Sequence, residues 1–524
     1  MRSQEQLIQR QKYVLAVIFT AIAVVLIPMT SVSWAAEPVE LDPVGRTAAM
    51  GEGGVEIAAY DPAGERAFAT NAAANAVDVY DFSDPAAPVK TGSVPLSVFG
   101  GGPNSVDYAT SGGGLLAVAV EAFDKTDPGT VELFDGELRR VGSIRVGALP
   151  DMLTFTRGGE QLLVANEGEP ADDGSVDPQG SVTLIDLSRG VDDAVVRTAR
   201  LGSTPLRGPV RVFGPGTSQA QDLEPEYITT DGERAWVSIQ EANAVGILDI
   251  DAARFTVVRS LGFKDHGVTR NGLDPDDRDA AAEIAARPNV MGMYQPDAIA
   301  HYAIGAERRD GRPSPSRTYV ITANEGDSRD YEYFSEESRV EDLSLDPVAF
   351  GAQAAADLAR LTVTTTMGDR DGDGDYDRLF AFGGRSISIL DEDAGLDFDT
   401  GAALERRAEQ LDAANFNKDN EAGSEVDNRS DNKGPEPEAL DVGRLGGRPY
   451  AFVGAERSGG IYAFDLAERP GRAVFAGHLN TREDDLGPEG LRFIPARRSP
   501  TSEPALMLAS EISGTISLIG VSRR

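Results

Sequence analysis

One short signature recurs seven times along this chain, and it restricts the fold more than any other feature: a turn residue, an acid or amide, a spacer and an aliphatic residue. The clean copies are Pro103-Asn104-Ser105-Val106, Pro150-Asp151-Met152-Leu153, Pro225-Glu226-Tyr227-Ile228, Pro296-Asp297-Ala298-Ile299, Pro437-Glu438-Ala439-Leu440 and Pro488-Glu489-Gly490-Leu491. A glycine version stands at Gly54-Val55-Glu56-Ile57. Each copy leads through a charged, glycine-rich turn into a small apolar strand: RAFAT, LLAVAV, QLLVAN, RAWVSI, TYVITAN, YAFVGA and LMLAS. In most copies an alternating strand ending in Asp follows, such as GSVTLIDL (180–187) or GGIYAFDL (459–466), and then a less regular fourth strand. Short segments of period two between turn signals are strands.

Four short strands repeated seven times predict an all-β chain folded as a seven-bladed β-propeller. The last copy stops after its third strand (515–521), and residues 38–49 read as an orphan fourth strand. Pairing the two would close the ring and remove two sheet edges. Further strands at 361–366, 378–382 and 385–390 fall in a large insertion at about 327–436 and leave eight blades open. The expected plan is an N-terminal address over 1–35 and a single propeller domain over 36–524.

In a propeller the first strand of each blade lines the channel and the second runs antiparallel beside it. The start of one and the end of the other therefore share a face, and both positions carry acids. The first ring is Glu56, Asn104, Asp151, Glu226, Asp297, Glu438 and Glu489; the second is Asn71, Glu121, Glu167, Glu241, Glu325, Glu456 and Glu511. So many carboxylates around one mouth need cations or donors. One reading is a divalent-cation site, expected to use Glu167, Glu226, Asp297, Glu325, Asp327, Glu438, Glu489 and Glu511. The other is that each acid bonds backbone amides or a neighbouring arginine and locks the ring. Arg329, Arg429 and Lys433 fall in the extended versions of the motif, where they would bind an anion or neutralise the ring.

The sharpest local motif is Asp369-Arg370-Asp371-Gly372-Asp373-Gly374-Asp375-Tyr376-Asp377. Oxygens at alternate positions, with glycine allowing the sharp turn, wrap Ca2+. Asp369, Asp371, Asp373 and Asp377 fit as side-chain ligands and Asp375 through its carbonyl. The twelfth position is Phe380 and the flanks read as strands, so the motif is a calcium loop on a β-hairpin and not an EF-hand.

Composition narrows the function. Asp and Glu outnumber Lys and Arg by 85 to 49, a net charge of −36, which excludes sequence-independent nucleic-acid binding and docking on anionic lipid. There is no cysteine, and His266, His301 and His478 are the only histidines, so any metal should be a hard cation held by oxygens. Arg2, Arg10 and Lys12 precede an uncharged run from Tyr13 to Ala36, with a small-x-small site at Ser33-Trp34-Ala35. That pattern reads as an export signal or an uncleaved anchor, the one expected membrane contact, and puts the remainder outside the cytoplasm.

LPDMLTF (149–155), VANEGEP (164–170), NEGDSRDY (324–331), the 368–377 loop, DNKGPEPEAL (431–440) and GPEGL (487–491) together resemble the choice-of-anchor I family, from about Gly51 to Val521. The resemblance implies a surface protein similar to mesenchyme-specific cell surface glycoproteins linked to biomineralisation. Residues 518–524 offer no C-terminal anchor of the kind the family name describes, so secretion or N-terminal anchoring is expected. The leading expectation is an exported, calcium-binding propeller that acts as a surface or secreted binding module for an extracellular, mineral- or phosphate-related ligand. The rival is a calcium-dependent phosphoesterase resembling propeller phytases, taking a phosphorylated small molecule, with Arg329, Arg429 or Lys433 clamping the phosphate. No dedicated nucleophile supports it.

Overall fold

The computed structural model describes residues 37–278, 282–307, 313–420 and 423–524. The leader or anchor expected over 1–35 lies outside the described residues. Among those described, no helix is long and apolar enough to cross a membrane.

Seven antiparallel sheets follow one another along the chain. The first sheet is Ala58–Asp61, Arg66–Asn71, Ala76–Asp81 and Val89–Pro95; the second is Pro103–Ala109, Leu115–Val120, Pro128–Asp135 and Arg140–Ala148. The third is Pro150–Phe155, Gln161–Asn166, Ser181–Asp186 and Val195–Arg200. The fourth is Ile228–Thr230, Arg234–Ile239, Ala244–Asp249 and Arg254–Ser260, with Leu206–Arg207 added in parallel at its edge. The fifth is Ile299–Glu307, Pro313–Asn324, Ser386–Asp391 and Leu396–Asp399; the sixth is Pro437–Leu445, Arg448–Ala455, Ile461–Asp465 and Val474–Leu479. The seventh is Pro488–Ile494, Ala505–Ser510 and Thr515–Arg523, and its fourth strand is Val39–Arg46 from the other end of the chain.

The second strands explain how these sheets stack. Each is buried on both faces, so its sequence is almost continuously apolar, and the period-two geometry sends alternate residues to different neighbours. In Leu115–Val120, Leu116, Val118 and Val120 pack toward the first sheet, while Ala117 and Ala119 pack toward the third. In Ala505–Ser510, Leu506 and Leu508 meet Tyr450 and Phe452 of the sixth sheet, whereas Ala505, Met507 and Ala509 meet Ala67 and Ala69 of the first. Apolar clusters of this kind lie between every consecutive pair of sheets and between the last and the first. This face-to-face succession is a β-propeller.

The expected block insertion at 327–436 divides differently in space. Ser386–Asp391 and Leu396–Asp399 are the third and fourth strands of the fifth sheet. Thr362–Thr364 and Leu379–Ala381 join a separate mixed sheet with Glu337–Arg339, Phe263–Asp265 and Val290–Met293, the last two drawn from between the fourth and fifth sheets. That sheet has its own core of Leu273, Val290, Val340, Phe350, Leu361, Val363 and Leu379. A third segment, 400–436, carries the helix Ala403–Leu411. The three strands read as an eighth blade thus belong to two different sheets.

Candidate metal centre

Strand register brings the two acid rings together. Pro150 pairs with Asn166, Pro437 with Ala455 and Pro488 with Ser510, so the acid after each proline and the acid after each partner flank one paired position, and Asp151 and Glu167, Glu438 and Glu456, and Glu489 and Glu511 lie within each other's field. In each case the register shifts immediately after the proline. A bulge there re-aims the next side chain, in this case the acid.

The residues flanking the acids have structural duties. Asn166 is fully buried; its amide donates to Thr183 Oγ1 (3.0 Å) and its carbonyl accepts from Gly147 N (2.9 Å). Asn324, also fully buried, donates to Ser388 Oγ (2.9 Å) and accepts from Thr322 Oγ1 (2.8 Å). Glu167 and Glu325 follow these anchored asparagines, and a glycine then turns the chain. Gly326 has φ +101°, and a β-carbon on it would stand 2.3 Å from Gly383 Cα, so only glycine fits.

Three groups of mouth carboxylates each place ligand oxygens within 4.8 Å of one another: Glu167, Glu226 and Glu241; Asp297, Glu325 and Glu438; and Glu325, Glu436 and Glu456. Buried Oε2 atoms of Glu226, Glu241 and Glu438 have no hydrogen-bond partner. Glu56, Asp151, Asp297 and Glu489 line a cavity of about 210 Å3 with Asn104 and Tyr227. Glu511 lies in the field of Glu56 and Glu489 but in none of the three groups. Burial, then like charge from neighbours, pushes Glu56 and Asp151 up to about 7 and Glu456 to about 8. The same causes hold Glu167, Glu226, Glu241, Asp297, Glu438 and Glu489 well above the usual carboxylate range.

The three candidate anion-binding cations are all engaged with carboxylates. Arg329 is buried and bonds Asp222 and Glu224 (2.7 Å to the latter). Arg429 pairs with Glu436 at 2.6 Å. Lys433 reaches Glu325 (2.9 Å), Glu436 (3.4 Å) and the half-exposed Asp327 (3.8 Å). Burial works against ionisation of Glu436, but Lys433, Arg429 and Arg457 outweigh it and keep this carboxyl below its ordinary value. Glu436 was not singled out by the sequence; its one signal was its position two residues before Glu438. It also carries backbone strain, with φ +51°.

The loop 369–377 joins the paired strands Thr362–Thr364 and Leu379–Ala381, a hairpin connection. Asp369, Asp371 and Asp377 bring oxygens within 4.8 Å of one another, and the loop is largely exposed. Asp369 accepts from Gly372 N (2.7 Å) and Gly374 N (3.1 Å), and Asp377 accepts from Arg370 N (2.8 Å), which curls the backbone around its own acids. Asp373 and Asp375 fall outside that group; Asp373 Oδ1 accepts from Asp375 N (3.1 Å).

The chain is similar to several known proteins. Gigasin-3a of Magallana gigas is 32% identical over 184 residues, 31% of this chain, and the chain spans 64% of that protein's length. Among solved structures, the Myceliophteria thermophila Cps50 (Swd1) β-propeller domain matches over 92% of this chain and 100% of its own, at 10% identity and a TM-score of 0.44. Kuenenia stuttgartiensis hydrazine synthase matches over 90% and 96%, at 13% identity and a TM-score of 0.44. A model of the choice-of-anchor I domain matches residues 56–469, from the first acid of the signature to just past the third strand of the sixth sheet. The chain belongs to the choice-of-anchor I family.

Proposed function

We propose that this protein is an exported calcium-binding propeller that works as a surface or secreted binding module. The observation that carries the reading is the set of buried, partnerless Oε2 atoms on Glu226, Glu241 and Glu438, within a mouth that gathers acids from successive sheets. A buried carboxylate oxygen without a donor is costly, and a hard divalent cation satisfies several at once. The residues fit calcium: oxygen donors only, more than one carboxylate per group, and no cysteine anywhere in the sequence. The hairpin loop supplies a second, exposed site of a different kind through Asp369, Asp371 and Asp377.

Calcium held at the mouth puts positive charge on a strongly acidic protein. A cation with open coordination positions then receives phosphate or carboxylate groups of an extracellular ligand, which suits a mineral- or phosphate-related role. Family membership and the leader-like N-terminus both favour a location outside the cytoplasm. The phosphoesterase reading draws no support from Arg329, Arg429 or Lys433, whose charges are engaged by carboxylates.

The test is a calorimetric calcium titration of chelator-stripped protein, with thermal melting beside it. We expect saturable binding and a higher melting temperature in calcium, because an ion held only by the native state adds to its stability. No binding heat together with an unchanged melting temperature refutes the proposal.

A further inference from the structure

The mouth is unevenly neutralised. On one side three carboxylates are met by protein donors: Glu325 accepts from Lys433 (2.9 Å) and Gln240 (2.8 Å), Glu436 from Arg429 (2.6 Å), and Glu456 pairs with Arg457 (3.1 Å), while Glu438 beside them keeps one Oε2 without a partner. Lys433 is held there deliberately by the fold. Buried Arg385 donates to the carbonyls of Ser430 (2.7 Å) and Asn432 (2.6 Å), fixing the backbone that leads into the lysine, and Gly434 then turns away at φ +71°.

On the other side Glu167, Glu226 and Glu241 have oxygens within 4.8 Å of one another, and among the described residues no ion pair reaches any of them. Glu226 is 7% exposed and Glu241 3%, and the Oε2 of each lacks a partner. Arg329, whose charge is felt at Glu241, is bonded instead to Asp222 and Glu224.

We infer that Lys433 is a built-in cation serving the Asp297, Glu325 and Glu438 side, so that the mouth takes one divalent cation, held by Glu167, Glu226 and Glu241. The inference rests on the metal reading proposed above and assigns that metal to one side. An ammonium tethered at 2.9 Å from Glu325 supplies the positive charge a second ion would bring, and two ions sharing one acidic mouth would repel each other. Glu241 is the ligand that completes the site, since Glu167 and Glu226 alone offer too few oxygens for a cation that takes six to eight.

The assignment is tested by calcium calorimetry on the chelator-stripped full chain carrying Asp371→Ala, which removes the hairpin loop from the count. The expected result is one site. Adding Glu226→Gln should weaken it by more than the roughly 10- to 100-fold that a lost outer-shell partner costs. Adding Lys433→Met instead should raise the count to two, and Glu438→Gln should remove the added site. Because Lys433→Met exposes unpaired acids, it should melt lower in chelator and recover in calcium, a recovery that a purely structural lysine does not give. If the variant folds only with calcium present, that recovery is read by refolding with and without the ion. The assignment is overturned if Glu226→Gln leaves binding intact while Glu438→Gln abolishes it, or if Lys433→Met leaves one site and calcium restores nothing. Absence of any mouth site in the Asp371→Ala protein overturns the metal reading itself, and this inference with it.

Discussion

Glu241→Gln should change the sign of its effect on stability with calcium. Its ligand oxygen lies within 4.8 Å of those of Glu167 and Glu226, and two unit charges at that distance repel by about 3 to 4 kcal/mol at an effective dielectric of about 20. Proton uptake relieves much of this, since burial and then Glu224 already push Glu241 well above its ordinary range. Removing the charge while keeping the shape should therefore stabilise the calcium-free protein by about 2 kcal/mol at pH 8. With an unfolding entropy of roughly 2.1 cal/mol/K per residue over about 490 residues, that is about 2 °C in melting temperature. At a thousandfold excess of calcium over its Kd the wild type gains about 4 kcal/mol from the mouth site, which the variant forfeits. Calorimetric melting should thus put the variant about 2 °C above wild type in chelator and about 2 °C below it in calcium. A variant that melts lower in both conditions refutes the reasoning, because Glu241 would then be a structural carboxylate whose loss is felt whatever occupies the mouth.

Four further outcomes follow from the same geometry. Glu56 and Asp151 at about 7 and Glu456 at about 8 bind protons more tightly folded than unfolded; lowering the pH from about 8 to 4.5 should stabilise the calcium-free protein, and raising it should remove that gain. Calcium needs the ionised forms, so its stabilising effect should shrink over the same fall in pH, as melting with and without chelator will show. Asp371→Ala, on an exposed loop, should remove one calcium site from a titration while leaving the melting temperature in chelator essentially unchanged. Arg329→Met should cost about 3 to 5 kcal/mol in denaturant unfolding with or without calcium, because it strands buried Asp222 and Glu224; a near-neutral result would free Arg329 for an anion-binding role.

Much of the fold was legible because a blade is a local object. Its four strands are consecutive, its turns are set by Gly, Asn and Asp, and its proline-acid start repeats, so period and punctuation alone mark the strands. The pairing of Val39–Arg46 with Thr515–Arg523 was also legible, since a missing fourth strand at one end and a spare strand at the other can satisfy only each other's edges. The segment 327–436 was not. There the pattern reported strands correctly at 361–366, 378–382 and 385–390, but strand partners are chosen by long-range pairing. Residues 386–391 return to the fifth sheet, and the other two join strands from before residue 294.

The site divides along the same line. The sequence by itself determined that acids recur at the start of each first strand and the end of each second, two positions that the antiparallel order of a blade brings to one end. Which acids form a site was decided only in three dimensions. Glu436 enters the mouth through a left-handed backbone that no propensity announces, and Lys433 is aimed there by Arg385, a residue 48 positions earlier in the chain. Identical residue types therefore end up with opposite electrostatics: Glu436 is held ionised by three cations, and among the described residues no ion pair reaches Glu226 or Glu241. Charge compensation depends on which side chains meet within a few ångströms, and that is a property of packing between sheets, which a repeat read along the chain does not contain.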